Sequence, residues 1–272
     1  MPSLKPRRSR LTLKLMFEIL ISAFNLILYQ PLFNALIFLY NYIPGHDFGI
    51  AVIVLTLLIK LILYPLGVQG IRSQRALSGL QPKIKEIQEK FKNDKEKQAK
   101  ATMELYKQEK INPFSGCLPL LVQLPILIGL FQVFWRGFGE QQLRFLYGFV
   151  AYPGQINMAF LGIVNLAEAS IFLAILNGIM QFFQTKMMTP RPGSGQAPTK
   201  KGSPDFSSMM QKQMLYFFPL FTVFILWRMP AAIGLYWLTT TLFTILQQYI
   251  MLRKNHGPNQ PNQNQKSGRR IL

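Results

Sequence analysis

Chemistry in this 272-residue chain starts with Lys60, a cation in the middle of the almost wholly apolar run Ile50–Gln69, IAVIVLTLLIKLILYPLGVQ. The run has the length of a helix that crosses a bilayer. A cation at its centre costs roughly 2.5–3.5 kcal/mol on insertion scales. Thr56, Lys60 and Tyr64 are spaced i, i+4, i+8 and share one helical face. Similar polar stripes recur downstream. Asn177, Gln181 and Gln184 fall at i, i+4, i+7, and Tyr236, Thr240, Thr244 and Gln247 at i, i+4, i+8, i+11, while Gln123 interrupts another apolar run. Polar residues in membrane helices commonly hold helices together, at around 0.6 kcal/mol per interaction. Aligned stripes around a midplane cation point to something larger, a wet groove in which Lys60 stays charged. Snorkelling of the lysine stem is the competing account, but about nine residues at ~1.5 Å each separate Lys60 from the polar end of the run.

What the runs lack narrows the chemistry further. No Asp or Glu falls in the Lys60 run or in the apolar runs from Leu118 onward. The cation is therefore expected to have no internal carboxylate partner and to attract acidic groups from outside. A proton relay, which uses chains of Asp, Glu or His, is disfavoured for the same reason. The runs hold no Ser/His/Asp arrangement, and both histidines, His46 and His256, lie outside them. No glycine-rich phosphate loop ends in Lys-Ser or Lys-Thr. The single cysteine, Cys117, cannot form an internal disulfide, has no zinc spacing around it, and reads as a small packing residue. The expectation is a protein that is not an enzyme and uses no cofactor or metal.

The elements that must carry these residues follow from composition. Half the residues are hydrophobic and 15% are charged, yet the net charge is +19. Apolar residues come in membrane-length runs, which disfavours disorder and a DNA-binding role. The excess cations fit the retention of Lys and Arg in short cytoplasmic loops, and they also suit anionic lipid headgroups. Residues 1–30 read as a basic head followed by an apolar stretch without a clear cleavage site, hence an uncleaved signal anchor. Residues 31–45, aromatic-rich and interrupted, fit an outer interfacial helix. Residues 50–70 are the first core span, in which Pro65 is placed to kink the helix.

From Arg72 to Asn112 there are eleven Lys/Arg against six Asp/Glu. Leu77, Leu80, Ile84, Ile87 and Phe91 make an amphipathic stripe there, and Asn93-Asp94 is a turn signal, so residues 71–112 are expected to form a mobile cytoplasmic helical hairpin. Residues 116–252 supply four more spans, at about 118–135, 169–186, 214–227 and 232–252, with 155–168 as an outer interfacial piece and the Pro/Gly/Ser-rich loop 189–204 inside. The tail, 253–272, is expected to be a disordered basic cytoplasmic segment.

Four blocks also carry a family likeness: IKLILYPL (59–66), LQPKIKEIQEKF (80–91), LYKQEKINPFSGCLPLLVQLPI (105–126) and GLYW (234–237). In this order they resemble the YidC/Oxa/Alb membrane-protein insertases, over roughly residues 28–252. The resemblance implies an all-α polytopic membrane protein. It would have a five-helix transmembrane core, a cytoplasmic helical hairpin and an outer amphipathic helix, in the short form found in the bacterial plasma membrane. It implies a hydrophilic groove open to cytoplasm and lipid, and places Trp237 beside Tyr236 among the groove candidates. Lys60 stands where the family carries an arginine, which keeps the charge but loses the planar fork of donors. The implied function is ATP-independent insertion of small or few-span membrane proteins, alone or beside the Sec translocon. Nascent chains would be the substrates, with the ribosome and anionic lipids as further partners. From the residues alone, a small transporter or lipid scramblase using the same groove remains the alternative.

Overall fold

The computed structural model describes residues 5–116, 118–189 and 213–254. Cys117, nearly all of the 189–204 loop, His256 and the tail beyond Lys254 lie outside them. The chain opens with α1 (Lys5–Phe24), one π-helical turn (Asn25–Tyr29) and α2 (Gln30–Tyr42), joined without a break. The sequence suggested an anchor ending near residue 30 and a separate helix from Pro31. The chain instead keeps its helix, because the wide turn absorbs the proline. Gln30 N–H donates to Asn25 O, five residues back, and Pro31 follows at the second position of α2, where its ring would crowd a normal turn. Lys14–Tyr42 is therefore a single 29-residue helix, long and apolar enough to cross a bilayer. Its second half is not a loosely lying surface helix: Tyr29, Phe33, Leu36 and Ile37 are completely buried on one face. Phe33 stacks on Phe138 with ring centroids 5.8 Å apart.

α3 (Phe48–Ile62) starts at an Asp47 cap, whose Oδ1 accepts from Ile50 N–H at 2.9 Å. It ends where Pro65 cannot donate to Leu61 O, and α4 (Tyr64–Gly79) leaves at a bend of 68°. The span expected over 50–70 is thus not one straight helix. Its α3 arm covers only about 22 Å at 1.5 Å per residue, less than a hydrocarbon core of ~30 Å. α4 also runs through Arg72 without interruption, so the boundary expected at residue 71 is not there. The helical hairpin proper is α5 (Gln81–Lys90) and α6 (Lys95–Gln108), packed together across the turn at 91–94. Leu80, Ile84 and Leu105 form its own small core, separate from the main one.

The remaining helices are α7 (Leu118–Arg136), the short α8 (Glu140–Leu143), α9 (Ile171–Met188), α10 (Phe218–Leu226, preceded by a π turn at Gln213–Phe217) and α11 (Ala231–Lys254). α9 packs on both α10 and α11; α11 also touches α3 and α7, and α2 packs on α3 and α7. Glycine allows the closest of these approaches. A Cβ at Gly178 would fall 2.4 Å from Val223 Cγ2, bringing α9 against α10. The piece expected as an interfacial segment at 155–168 contains a two-stranded antiparallel ribbon, Ala159↔Asn165 and Phe160↔Val164. Side chains of α2 and the α3 cap hold this piece and the loop before it in place. Asn34 Oδ1 accepts from Tyr147 N–H at 2.7 Å, Tyr40 OH accepts from Asn157 N–H at 3.0 Å, and Asp47 Oδ2 accepts from Leu161 N–H at 2.6 Å. Apart from this ribbon and the irregular stretches of residues 137–170, the described residues are mostly helical, consistent with an all-α membrane protein.

Candidate functional site

Where α3 bends into α4, neither helix can fill the space between α7 and α11, and a cavity of about 350 Å³ results. Small residues on α4 set its shape. Gly70 lies so close to Pro119 that a Cβ would come within 2.3 Å of the proline ring, and Gly67 admits the Gln247 amide. Gln247 Nε2 donates to Tyr64 O at 3.2 Å, which fastens α11 to the first turn of α4.

Lys60 reaches the cavity from the last turn of α3. Its Nζ donates to Gln123 Oε1 at 3.4 Å, and Gln123 Nε2 in turn donates to the Tyr236 hydroxyl. The ion pairs Lys83–Glu109, Lys97–Asp94 and Lys100–Glu96 belong to the hairpin, away from Lys60. The cation thus meets a neutral amide where a carboxylate would be the usual partner. Amides have no net charge, so the site keeps a single positive charge in a wall of polar side chains and alkyl groups. Such a wall can hold water, hydrogen-bond a peptide segment, and attract an anionic side chain. Among the described residues no group of three or more His, Cys, Asp or Glu converges as a metal site would require.

Nine of the residues expected in the groove line this cavity: Lys60, Gln123, Gln181, Gln184, Tyr236, Trp237, Thr240, Thr244 and Gln247. Three do not. Thr56 is 1% exposed and donates to Val52 O, one turn back in its own helix, at 2.6 Å. Asn177 is fully buried and donates from Nδ2 to Leu173 O at 2.8 Å and Gly234 O at 2.9 Å, so it ties α9 to α11. Tyr64 lies past the bend, with its ring set edge-on to Phe243. The bend after Ile62 and the helix contacts decide which end of each i, i+4 stripe meets the cavity.

Gln74, Thr241 and Gln248 also line it and were missed. Thr241 and Gln248 each follow a stripe residue of α11 by one position, so the wall is wider than the one-residue-per-turn template. Gln74 looked like part of the charged hairpin, because nothing local reveals that α4 continues past Arg72.

A mostly helical membrane protein with a cavity lined by one cation, several amides and hydroxyls, and apolar side chains is the class that the fold and site define, and comparison with known proteins gives it a family. Residues 38–259 match the model of the 60Kd inner membrane protein family. The chain is 37% identical over 229 residues to the Membrane protein insertase YidC of Fusobacterium nucleatum subsp. nucleatum, an alignment covering 84% of this chain and 98% of that one. It is 35% identical over 207 residues to proteins of the same name from Francisella philomiragia subsp. philomiragia and Francisella tularensis subsp. novicida. Those alignments cover 76% of this chain and 33% of the longer Francisella proteins. The chain belongs to the 60Kd inner membrane protein family, to which the sequence resemblance also pointed.

Proposed function

We propose that this protein inserts small or few-span proteins into the bacterial inner membrane. The observation that carries the reading is the cavity at the α3–α4 bend, with Lys60 facing an amide in place of an acid. A hydrophilic segment crossing ~30 Å of hydrocarbon would leave its backbone groups unsatisfied, at several kcal/mol each. A cavity that brings an ammonium, amides and hydroxyls inside the bundle shortens that apolar distance. The segment enters from the cytoplasmic side, exchanges hydrogen bonds with the glutamines and Thr240, and is held transiently at Lys60 when it carries a carboxylate. It leaves outward as its apolar neighbour partitions into lipid, and that partitioning drives the step without ATP.

The five-span core of this reading comprises the bent α3–α4 unit, α7, α9, α10 and α11, with α2 packed at the outer side. The hairpin and the C-terminal tail lie in the cytoplasm, where their cations meet anionic lipid headgroups. The Sec translocon and the ribosome are partners of this arrangement. The purified protein in liposomes, without nucleotide, should make a radiolabelled two-span substrate protease-protected, and a photoreactive residue at Trp237 should crosslink to its hydrophilic segment. Lipid flipping or solute uptake without substrate protection would replace this reading with that of a scramblase or transporter.

A further inference from the structure

Gln123 hydrogen-bonds both the cation and a residue of the neighbouring helix α11. An ammonium has donors only, so the amide must turn its carbonyl oxygen to Lys60, and its N–H₂ then faces Tyr236. The Tyr236 oxygen accepts that N–H. Tyr236 is itself only 3% exposed, on α11. A direction therefore runs through the chain: a buried tyrosine holds the amide, and the amide holds the ammonium. The backbone under Gln123 is held as well, since Pro119, one turn earlier on α7, is wedged against Gly70. Lys60, by contrast, has a four-carbon stem with free rotors and lies two residues from the end of its helix, where a long stem can swing toward the nearest water.

We propose that Gln123 is the positioning residue of the groove: it holds the Lys60 ammonium at the α7–α11 wall, using Tyr236 as its anchor, and so sets the preference for acidic segments. This rests on the insertase reading above. The residue does its work by being neutral. An acid of the same shape would hold Lys60 equally well but would cancel the charge that the incoming segment needs, whereas a hydrocarbon would release it.

Two measurements separate the positioning from the function. The first is 19F NMR of 3-fluorotyrosine at position 236 in the purified, folded protein in nanodiscs. The resonance should move in Gln123→Leu, and also in Lys60→Met, because loss of the ammonium changes the polarisation of the amide that donates to the hydroxyl. The second is the insertion ratio of matched substrates with acidic and neutralised segments. Gln123→Glu, nearly isosteric with wild type, should lower this ratio about five-fold or more, as far as Lys60→Gln does. Gln123→Leu should lower it less. A resonance that moves in Gln123→Leu but not in Lys60→Met overturns the inference, whatever insertion does. So does a Gln123→Glu protein that keeps the wild-type ratio while Lys60→Gln loses it. If the resonance moves in both variants but the ratio ignores Lys60→Gln, the linkage stands and the electrostatic reading of the groove is the part that fails.

Discussion

Removing the charge at Lys60 gives a quantitative test of the groove. The ammonium contacts Gln123 Oε1 at 3.4 Å, and no carboxylate pre-empts it among the ion pairs of the described residues. A substrate carboxylate arriving at about 4 Å gains about 1 kcal/mol if the cavity screens like bulk water, and about 4 kcal/mol at the effective dielectric of a protein surface. A cavity open to water lies between these limits, and a gain of about 1–3 kcal/mol corresponds to roughly 5- to 150-fold. Lys60→Gln should therefore cost an acidic substrate at least about five-fold in insertion relative to its neutralised twin. Lys60→Arg should retain the preference, and Lys60→Glu should reverse it, since attraction becomes repulsion. The assay is reconstituted insertion of the paired substrates, with protein level and thermal stability followed in parallel. Raising the salt should shrink the effect only in part, because a half-buried charge is screened less than an exposed one. Equal losses for both substrates in Lys60→Gln, or wild-type insertion of the acidic one by Lys60→Glu, would refute the reasoning.

Further outcomes follow from the packing and from the hairpin. Gly178→Ala should destabilise by about 1–3 kcal/mol through overpacking against Val223, despite alanine's better helix propensity. Adding Val223→Ala should recover much of the loss in thermal unfolding of the solubilised protein, and a stabilised single variant would show that α9 and α10 do not approach so closely. In the hairpin, the Lys97 backbone N–H, aided by the Lys97 side chain, holds the Asp94 carboxyl below the usual carboxylate range. A depressed value means that the cap contributes fully above the unfolded pKa and is lost as pH falls through the folded one. The helical chemical shifts of Lys95–Lys97 should thus weaken only on strong acidification, and Asp94→Asn, which still caps, should remove that dependence. A first turn that frays already near neutral pH would contradict this.

Much of the architecture was legible in the residues, because the signals involved are local. Apolar run length places α7, α9 and α11 to within a few residues, and Asn93-Asp94 marks the turn of the hairpin. The stripes containing Lys60, Gln181 and Tyr236 identify the polar faces, since a 3.6-residue period is a property of each helix alone. Four block motifs, in order, were enough to indicate the family.

The tertiary structure decided the rest. Lys60, Gln123 and Tyr236 lie 63 and 113 residues apart along the chain in successive steps, and only the packing of α3, α7 and α11 makes them a single hydrogen-bonded unit. Thr56 and Asn177 have the same spacing signal as their stripe neighbours, yet one bonds within its own helix and the other ties α9 to α11. The rotation of a helix about its axis is set by what it packs against, here Gly70 on Pro119 and Gly178 on Val223. Two prolines show the same limit. Pro31 is absorbed in an unbroken helix by one π turn, while Pro65 follows a 68° bend that opens the cavity. Each proline removes the same donor, and the surrounding contacts determine whether the backbone widens or turns.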